Sequence, residues 1–352
     1  MFIRVSTFFV FLQPKLETMD LDNVNEIFSH FNKATVLVIG DVMIDCYITG
    51  TVSRISPEAP VPIVNAQSRN YRLGGAANVA LNLKSLGATP ILCSVIGGDN
   101  KAKVFYDLME DCELDSVGLV PMFGRKTTVK YRIIGNNAHI VRVDDERDEQ
   151  LKEREKRQFV TTVEQLIEHH PIDAVIFEDY DKGLFSKDVI DEILGFAHKK
   201  NLFVAVDPKK RNFNHYENVN LFKPNLKELA MGMHIEDNVE LKLEDIHDLA
   251  KRFAREKHIE MVMITMSSKG IAFYNAKTDT FYHQPAFKRR VSDVSGAGDT
   301  VISVATLFLY TGRSMEETCL ASNLAGGLVC EYVGVVPINS AQLQNEIVKN
   351  QN

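Results

Sequence analysis

The sequence of 352 residues lacks tryptophan and has only five cysteines, which are scattered and form no C-x-x-C pair. This pattern argues against a disulfide framework or a structural zinc site and is typical of a reducing compartment. The sequence also has fewer basic than acidic residues, with 40 Lys and Arg and 47 Asp and Glu, so its formal net charge is −7. Such a chain has no overall attraction for nucleic acid or anionic membranes. We expect a cytoplasmic protein without nucleic-acid or membrane partners, whose anionic ligands are held at a local site.

Several catalytic motifs are absent as well. The chain has no G-x-x-x-x-G-K-[ST], which excludes a P-loop NTPase, and neither H-E-x-x-H nor G-x-S-x-G, which disfavours zinc proteases and α/β-hydrolases. Gly40-Asp41 follows the first apolar run without completing G-x-G-x-x-G. A dinucleotide-dependent dehydrogenase is therefore a distant alternative.

The N-terminus carries a short apolar run, residues 5–12, that resembles the core of a signal peptide. Pro14–Glu17 stands where a small-residue cleavage site is needed, and no run approaches the about 20 residues that span a bilayer. We interpret residues 1–32 as an extension that begins upstream of the natural start, Met19, and ends in an amphipathic helix.

Further along, apolar runs alternate with helix-length segments whose apolar residues recur at a spacing near 3.6. This alternation predicts an α/β fold, with a mostly parallel sheet covered by helices on both faces. The predicted strands are 35–40, 91–96, 174–177, 202–206 and 261–264. The predicted helices are 76–86, 102–112, 150–169, 187–200, 243–257, 298–310 and 315–331.

Two segments, 47–70 and 127–143, interrupt the alternation with β-branched and aromatic residues at period 2. We expect them to form one small antiparallel sheet that serves as a lid over a site. Its unpaired edges favour a homodimer that forms through the lid. The remainder of residues 33–345 is predicted to be a single domain.

The strongest functional pattern is Gly296-Ala-Gly-Asp299, directly before a predicted helix. The small residues Gly296, Ala297 and Gly298 leave backbone N–H groups open to an anion, and Asp299 lies where the helix dipole favours a carboxylate. Beside a bound anion, that carboxylate can accept a proton from a hydroxyl, as phosphoryl transfer requires. The alternative is a helix cap alone, which this pattern by itself favours.

Two other turns allow both a functional and a structural interpretation. Gly74-Gly75 precedes a helix that carries Asn78, so the turn either approaches a polar ligand or only packs the helix. Asn225 and Glu228 have the N-x-x-E spacing of a capping box, and they could equally arrange metal-bound water near a phosphate.

Charged residues cluster at the strand ends and in the lid. Acidic residues follow the predicted strands, where an open parallel sheet binds its ligands: Asp41, Asp45, Asp179, Asp181 and Asp207. The lid segments add basic residues, of which one or two are expected to bind a phosphate already on the substrate. They are Arg54, Arg69, Arg72, Lys130, Arg132 and Arg142.

From about residue 33 to 340, the order and spacing of these motifs resemble the PfkB (ribokinase-like) carbohydrate kinases. Gly74-Gly-x-x-Asn78 resembles the first signature of the family, and Asp293-x-x-Gly-Ala-Gly-Asp299 resembles the second, which is more specific. Within the family, five segments resemble the D-glycero-D-manno-heptose 7-phosphate kinases: 54–62, 74–80, 178–183, 206–209 and 293–301.

The resemblance implies a ribokinase-like fold and a Mg²⁺·ATP-dependent kinase. That kinase would phosphorylate the anomeric hydroxyl of the heptose 7-phosphate to the 1,7-bisphosphate, a precursor of ADP-heptose and the lipopolysaccharide core. We expect the kinase step alone, because no H-x-G-H motif of the adenylyltransferase often fused to such kinases is present.

The resemblance also implies roles at matching positions. Asp299 matches the catalytic base, and the backbone of Gly296, Ala297 and Gly298 matches the anion hole. The implied substrate-binding residues are Asp45, Gly74, Gly75, Asn78, Arg142 and Lys182. The implied nucleotide-binding residues are Asn225, Glu228, Thr265, Ser267, Gly270 and Asn323. Asn225 and Glu228 would bind Mg²⁺ through water, and Asp293 and Ser295 a monovalent cation such as K⁺.

Two other functions stay open at this point. One is a kinase of the same family that acts on a hexose, a pentose or a nucleoside. The other is a non-catalytic sugar-binding protein built on the same scaffold.

Overall fold

The computed structural model describes residues 21–236 and 239–350. The predicted start at Met19 lies outside this range, while the amphipathic helix expected after it is present. The helices are α1 (Leu21–Phe31), α2 (Ala76–Ser85), α3 (Asn100–Asp111), α4 (Glu153–His169), α5 (Lys187–Lys199), α6 (Leu226–Gly232), α7 (Leu243–Lys257), α8 (Ala297–Tyr310), α9 (Met315–Val329) and α10 (Ser340–Lys349). Among these helices, none is long and apolar enough to cross a membrane.

The strands fall into two sheets. Among the described residues, nine strands form the central sheet and four form the smaller sheet. Those of the central sheet are β1 (Thr35–Gly40), β4 (Thr89–Gly97), β5 (Gly118–Met122), β8 (Ala174–Glu178), β9 (Phe203–Asp207), β10 (Leu221–Phe222), β11 (Met261–Thr265), β12 (Ile271–Asn275) and β13 (Thr280–Gln284). Those of the smaller sheet are β2 (Val42–Ile55), β3 (Pro62–Gly75), β6 (Val129–Gly135) and β7 (Ala138–Asp145).

The central sheet has the order β13-β12-β11-β10-β9-β8-β1-β4-β5. Its strands from β11 to β5 run parallel, and β12 and β13 are added antiparallel at one edge. The predicted mostly parallel sheet is confirmed. The parallel arrangement brings the carboxyl ends of β1, β8, β9, β10 and β11 to one edge, where side chains from distant parts of the chain meet.

Helices cover both faces of the central sheet, as the alternating pattern predicts. Val36 and Val38 of β1 pack into one buried cluster with residues of α1, α2, α8 and α9. Leu37 and Ile39 point to the other face and pack with residues of α4, α5 and α7. Because β1 is buried on both sides, its sequence is continuously apolar rather than alternating.

The smaller sheet, which we call the lid, has the order β3-β2-β6-β7. The prediction of a separate small sheet is confirmed, but its strands extend beyond the predicted 47–70 and 127–143. The pairs β2–β3 and β6–β7 are antiparallel, whereas β2 and β6 at the centre run parallel. The expectation of a wholly antiparallel lid was wrong, because the two hairpins join side by side through strands of the same direction.

Candidate active site

Helix α8 begins at the carboxyl edge of the central sheet. Gly296 caps it with a φ of 80°, and a Cβ there would lie 2.8 Å from the Asn78 side chain, so glycine suits this turn. Gly298 and Asp299 lie in the first turn, where the helix supplies no acceptor for their N–H groups. This end of α8 therefore offers hydrogen-bond donors and the positive end of the helix dipole.

The Asp299 carboxylate is buried and held between two side chains. Asn78 of α2 donates to its Oδ2 at 2.7 Å, and the Tyr180 hydroxyl donates to its Oδ1 at 2.7 Å. Thr300 Oγ1 donates to Asn82 Oδ1 at 3.0 Å and fixes α8 against α2. Burial raises the pKa of Asp299 above its usual value, although both hydrogen bonds favour the charged form.

A cluster of lysines and carboxylates lies beside this carboxylate. Lys223 Nζ lies 2.7 Å from Asp207 Oδ2, and Lys209 Nζ lies 3.1 Å from Glu228 Oε1 and 3.4 Å from Asp207 Oδ1. Burial would lower the pKa of Lys209, but the carboxylates of Asp207 and Glu228 raise it above its usual range. Both lysines line the cleft described below and provide positive charge for an anionic ligand.

Asn225 and Glu228 form the capping box that their spacing predicts. Asn225 Oδ1 accepts from the Glu228 N–H at 2.8 Å, and Glu228 Oε2 accepts from the Asn225 N–H at 2.8 Å. The structural interpretation of this motif is therefore correct. It does not exclude the functional one, because the cap uses Oε2 and holds Glu228 Oε1 toward Lys209 in the cleft wall.

The carboxylates here fit a magnesium ion that is bound mainly by a nucleotide. In the described part of the chain, no group of three or more His, Cys, Asp or Glu side chains is placed to hold a metal. Mg²⁺ is commonly bound through one or two carboxylates, waters and substrate phosphates rather than by a protein cage. Glu228, whose Oε1 faces the cleft, and Asp207 supply oxygen ligands of that kind.

A cleft of about 1230 Å³ extends from Asp299 along the carboxyl ends of the strands. Every residue predicted to bind nucleotide lines it, together with the turn that begins α8: Asn225, Glu228, Thr265, Ser267, Gly270, Asn323, Gly296, Ala297 and Gly298. Asn323 Nδ2 donates to the Pro285 carbonyl at 2.7 Å and so also braces the cleft wall. This volume is somewhat larger than the roughly 300–1,000 Å³ of typical ligand pockets and is ample for a nucleotide.

The predicted sugar-binding residues lie on the lid side of Asp299. Asp45 is buried and paired with Arg132. A Cβ on Gly74 would lie 2.2 Å from Asp45 Oδ2, so glycine at position 74 gives the Asp45 carboxylate its room. Gly75 has a φ of 60° and precedes α2, which carries Asn78 to Asp299. The structure thus links the first predicted motif to the second through one hydrogen bond.

Asp293 and Ser295 themselves lie outside the lining of this cleft, although Val294 between them is part of it. Asp293 Oδ1 accepts from the Ser295 N–H and hydroxyl at 3.0 and 2.8 Å, and Oδ2 accepts from the Gly334 N–H at 3.0 Å. Burial opposes ionisation, but these hydrogen bonds lower the pKa of Asp293 below its usual value. A charged carboxylate therefore joins the two loops that flank α8 and α9.

Arg142 and Lys182 also lie away from the nucleotide cleft. Arg142 is largely exposed and donates to both oxygens of Asp144 at 2.9 and 3.1 Å. Lys182 pairs with Glu146 at 2.7 Å and is only two residues from Tyr180. The structure does not bring Arg142 to Asp299.

Sequence reasoning assigned no role to Tyr180, Lys209 or Lys223, although each contacts a residue of the site. All three follow buried strands, at the edge where ligands bind in such sheets, and this position could have identified them. Glu178 was missed as well. Its carboxylate is fully buried, and neither carboxylate oxygen has a hydrogen-bond partner among the described residues. Burial raises the pKa of Glu178 well above the usual value.

Residues 33–341 match the model of the pfkB family carbohydrate kinases. Among curated proteins, the "Bifunctional protein HldE" of Methylobacillus flagellatus is 35% identical over 94% of this chain, and that of Helicobacter pylori is 36% identical over 85%. The aligned regions cover 66% and 63% of those two proteins, so the chain spans less than two thirds of their length.

Solved structures confirm the ribokinase-like fold. Phosphofructokinase-2 from Escherichia coli in complex with potassium has a TM-score of 0.72 at 18% identity, covering 90% of this chain and 99% of the other. Arabidopsis thaliana ribokinase complexed with ribose and ATP has a TM-score of 0.68 at 16% identity, with the same coverage.

Proposed function

This chain belongs to the pfkB family of carbohydrate kinases and is an ATP-dependent carbohydrate kinase, and we propose that its substrate is D-glycero-D-manno-heptose 7-phosphate. The product of the proposed reaction is the 1,7-bisphosphate. The observation that carries the proposal is the buried Asp299 carboxylate at the first turn of α8, in the wall of the large cleft.

In the proposed reaction, Asp299 accepts the proton of the anomeric hydroxyl. The sugar oxygen forms a bond to the γ-phosphorus as the bond from that phosphorus to the β–γ bridging oxygen breaks, and ADP leaves. The first-turn N–H groups of α8, with Lys209 and Lys223, stabilise negative charge on the transferred group. An anomeric hydroxyl is more acidic than an ordinary alcohol, and the raised pKa of Asp299 makes this carboxylate the stronger base.

Mg²⁺ would be held by Glu228 and Asn225 through water, and when bound it neutralises charge on the nucleotide phosphates. Asp293 and Ser295 are the proposed contacts of a monovalent cation such as K⁺. The charged Asp293 carboxylate, already fixed between two loops, supports that assignment.

The heptose assignment rests on two kinds of support. Five segments of this sequence resemble heptose 7-phosphate kinases, and the relatives named HldE align with most of the chain at about 35% identity.

We also propose a cytoplasmic location for this protein. The five cysteines, four of them buried, form no disulfide, as is typical of a reducing compartment.

Replacing Asp299 with Asn tests the catalytic role. We expect Asp299→Asn to lower kcat by about 10²- to 10⁴-fold, because the amide cannot accept the proton, while nucleotide affinity stays near that of the wild type. Asp107→Asn, on the exposed face of α3, is the matched control. Melting temperatures of both variants separate a folding defect from a catalytic one, and near-normal turnover by Asp299→Asn would overturn the assigned role.

A substrate panel tests the sugar. ADP release is measured with heptose 7-phosphate, fructose, ribose and nucleosides at matched concentrations. We expect the highest kcat/KM with heptose 7-phosphate. A higher value with any of the others would replace the proposed substrate and leave the carbohydrate kinase assignment unchanged.

A further inference from the structure

Asp41 is the single residue between β1 and β2, where the chain passes from the central sheet into the lid. Its side chain is buried, and its backbone carbonyl accepts the N–H of Ala76 at 3.0 Å, where the chain returns from the lid to α2. A Cβ on Gly75 would lie 2.4 Å from that carbonyl oxygen, so the two crossings are in close contact. Asp41 therefore lies at the junction of the lid with the body of the protein.

The side chain of Asp41 binds the backbone of the loop after β8. We call residues 179–183 the β8 loop. Asp41 Oδ2 accepts the N–H groups of Tyr180 and Lys182 at 2.9 and 3.2 Å. Hydrogen bonds accepted by a carboxylate are about twice as strong as those between neutral groups. The backbone of residues 180 and 182 is therefore fixed relative to the junction with the lid.

The conformation of the β8 loop depends on such contacts, because it is not a regular element. Asp181 has a φ of 56°, which is uncommon for a residue with a side chain. Its N–H is held by Asp179 Oδ1 at 2.8 Å. Gly183 has a φ of 81°, and a Cβ there would lie 2.1 Å from the Glu149 carbonyl oxygen. The loop is thus held by side chains and by its neighbours rather than by a helix or sheet ladder.

Tyr180 connects this loop to the candidate catalytic carboxylate. Its hydroxyl donates to Asp299 Oδ1 at 2.7 Å, while its N–H donates to Asp41. The Lys209 ammonium lies 5.2 Å from the centroid of its ring. Because one residue makes both hydrogen bonds, a shift of its backbone away from Asp41 also moves its hydroxyl away from Asp299.

We infer that Asp41 is a positioning residue for the proposed base: by fixing the backbone of Tyr180, it holds the Tyr180 hydroxyl on Asp299 and so stabilises the charged form of that carboxylate. This inference rests on the proposed function. Asp41 lies outside the lining of the large cleft, so its effect on Asp299 is transmitted through Tyr180. The junction of the lid with the body is in this way connected to the reacting carboxylate.

The charge of Asp41 and its hydrogen bonds would affect Asp299 in opposite directions. Removing a nearby negative charge lowers the pKa of a carboxyl, whereas removing the hydroxyl donor of Tyr180 raises it. The other titratable groups near Asp299 come from the ends of β8, β9 and β10 and stay in place when Asp41 is replaced. They are Glu178, Asp207, Lys209 and Lys223. The direction of the change therefore separates positioning from a direct effect of charge.

The first test measures the acidic limb of kcat/KM in Asp41→Ala. At a fixed pH on this limb we expect kcat/KM to fall about 2- to 10-fold below the wild type, with a smaller change on the plateau, because the base loses a hydrogen bond. Asp41→Asn keeps an oxygen that accepts N–H groups and should retain the wild-type limb. The matched control is Asp173→Ala, which removes the acceptor of the Thr35 N–H (2.8 Å) at the opposite end of β1. It should lower the melting temperature without moving the limb.

A double variant tests whether the effect passes through Tyr180. Asp41→Ala combined with Tyr180→Phe should have the acidic limb of Tyr180→Phe alone, because the hydroxyl through which Asp41 acts is already absent. The inference is overturned if the two changes add. It is also overturned if Asp41→Ala moves the limb to lower pH, or no further than Asp173→Ala does.

Hydrogen exchange tests the same link without a variant of Asp41, so the result does not depend on whether Asp41→Ala folds. If the two contacts of Tyr180 support each other, removing its hydroxyl weakens the bonds to Asp41 in turn. The N–H groups of residues 180 and 182 should then exchange faster in Tyr180→Phe than in Tyr106→Phe, and equal rates would refute the inference. If Asp299→Asn keeps near-normal turnover, the proposed base fails separately, and the exchange rates decide whether Asp41 positions Tyr180.

Discussion

At the scale of single residues, the ionisation of Asp299 is set by opposing influences. Removing the carboxylate from water raises its pKa, and the hydrogen bonds from Asn78 and Tyr180 act in the opposite direction. The net effect is a pKa above the usual 3.8 of an aspartate. In its proposed role as a base, Asp299 acts in its deprotonated form, so we expect activity to fall as the pH decreases through its pKa.

We predict that the acidic limb of the kcat/KM profile lies above the pH at which an exposed aspartate titrates. Tyr180→Phe should move this limb to still higher pH, because it removes a donor that stabilises the charged form and keeps the ring that lies over Lys209. Steady-state kinetics from acidic to neutral pH measure the effect, with Tyr106→Phe on α3 as the control. An acidic limb that does not move would contradict this account.

Sequence reasoning identified Asp299 and Asn78 but not Tyr180. The first two lie in the first turns of α2 and α8, just after glycine-rich segments, and this local pattern is visible in the sequence. Tyr180 and Asp299 are 119 residues apart, and nothing local to Tyr180 predicts their contact. The same applies to Lys223, which reaches Asp207 only because β9 and β10 are neighbours in the sheet.

At the scale of elements, the hairpin of β2 and β3 supplies both sides of the buried Asp45 environment. Gly74 lies two positions from Arg72, the residue paired in register with Asp45, and leaves room for its carboxylate. Arg132 of β6 forms an ion pair with Asp45 and so neutralises its charge. The absence of a side chain at Gly74 of β3 thus allows Asp45 of β2 to pair with Arg132 of β6.

Gly74→Ala should therefore displace the Asp45 carboxylate, because the new Cβ would lie 2.2 Å from Oδ2. We expect the free energy of unfolding to fall by about 1–3 kcal/mol and sugar affinity to fall more than nucleotide affinity. Chemical denaturation and binding titrations measure both. Gly195→Ala in α5, with no atom within 4 Å of the new Cβ, should leave stability unchanged or slightly higher, and an equal loss in both variants would refute the prediction.

In the central sheet, β1, β4, β8, β9 and β11 were predictable because a buried parallel strand is continuously apolar. β12 and β13 were not predicted, since they pair antiparallel without an intervening helix. The parallel pairing of β2 with β6 could also not be predicted from the sequence. It joins residues 85 positions apart in the sequence, and both directions of pairing satisfy the same period-2 pattern.

At the scale of the whole molecule, the lid leaves one side of each outer strand, β3 and β7, unpaired among the residues that the structure describes. On β7, Val141 and Val143 are each 51% exposed, on the side of the lid opposite Arg142 and Asp144. An apolar strand edge in water is a surface on which another chain can pair. We propose that a second copy of this protein covers it, as the sequence already suggested.

Sedimentation should accordingly show a dimer that Val143→Lys weakens at least about tenfold, because dimerisation would bury an unpaired ammonium. Val143 is exposed in the single chain, so the fold should tolerate the change. Val117→Lys, at an equally exposed valine before β5, is the control and should leave the dimer intact. A wild-type protein that sediments as a monomer at micromolar concentration would exclude this interface.

The ion pairs of Lys209 and Lys223 have a consequence for how tightly the cleft retains its ligands. Both ammonium groups already hold carboxylates, so an arriving phosphate must compete with Asp207 and Glu228 for them. Binding is then an exchange of partners whose net gain is smaller than the strength of any one contact. If these lysines bind the nucleotide as proposed, Asp207 and Glu228 can pair with them again when the product leaves, so neither ammonium group is left unpaired in the empty cleft.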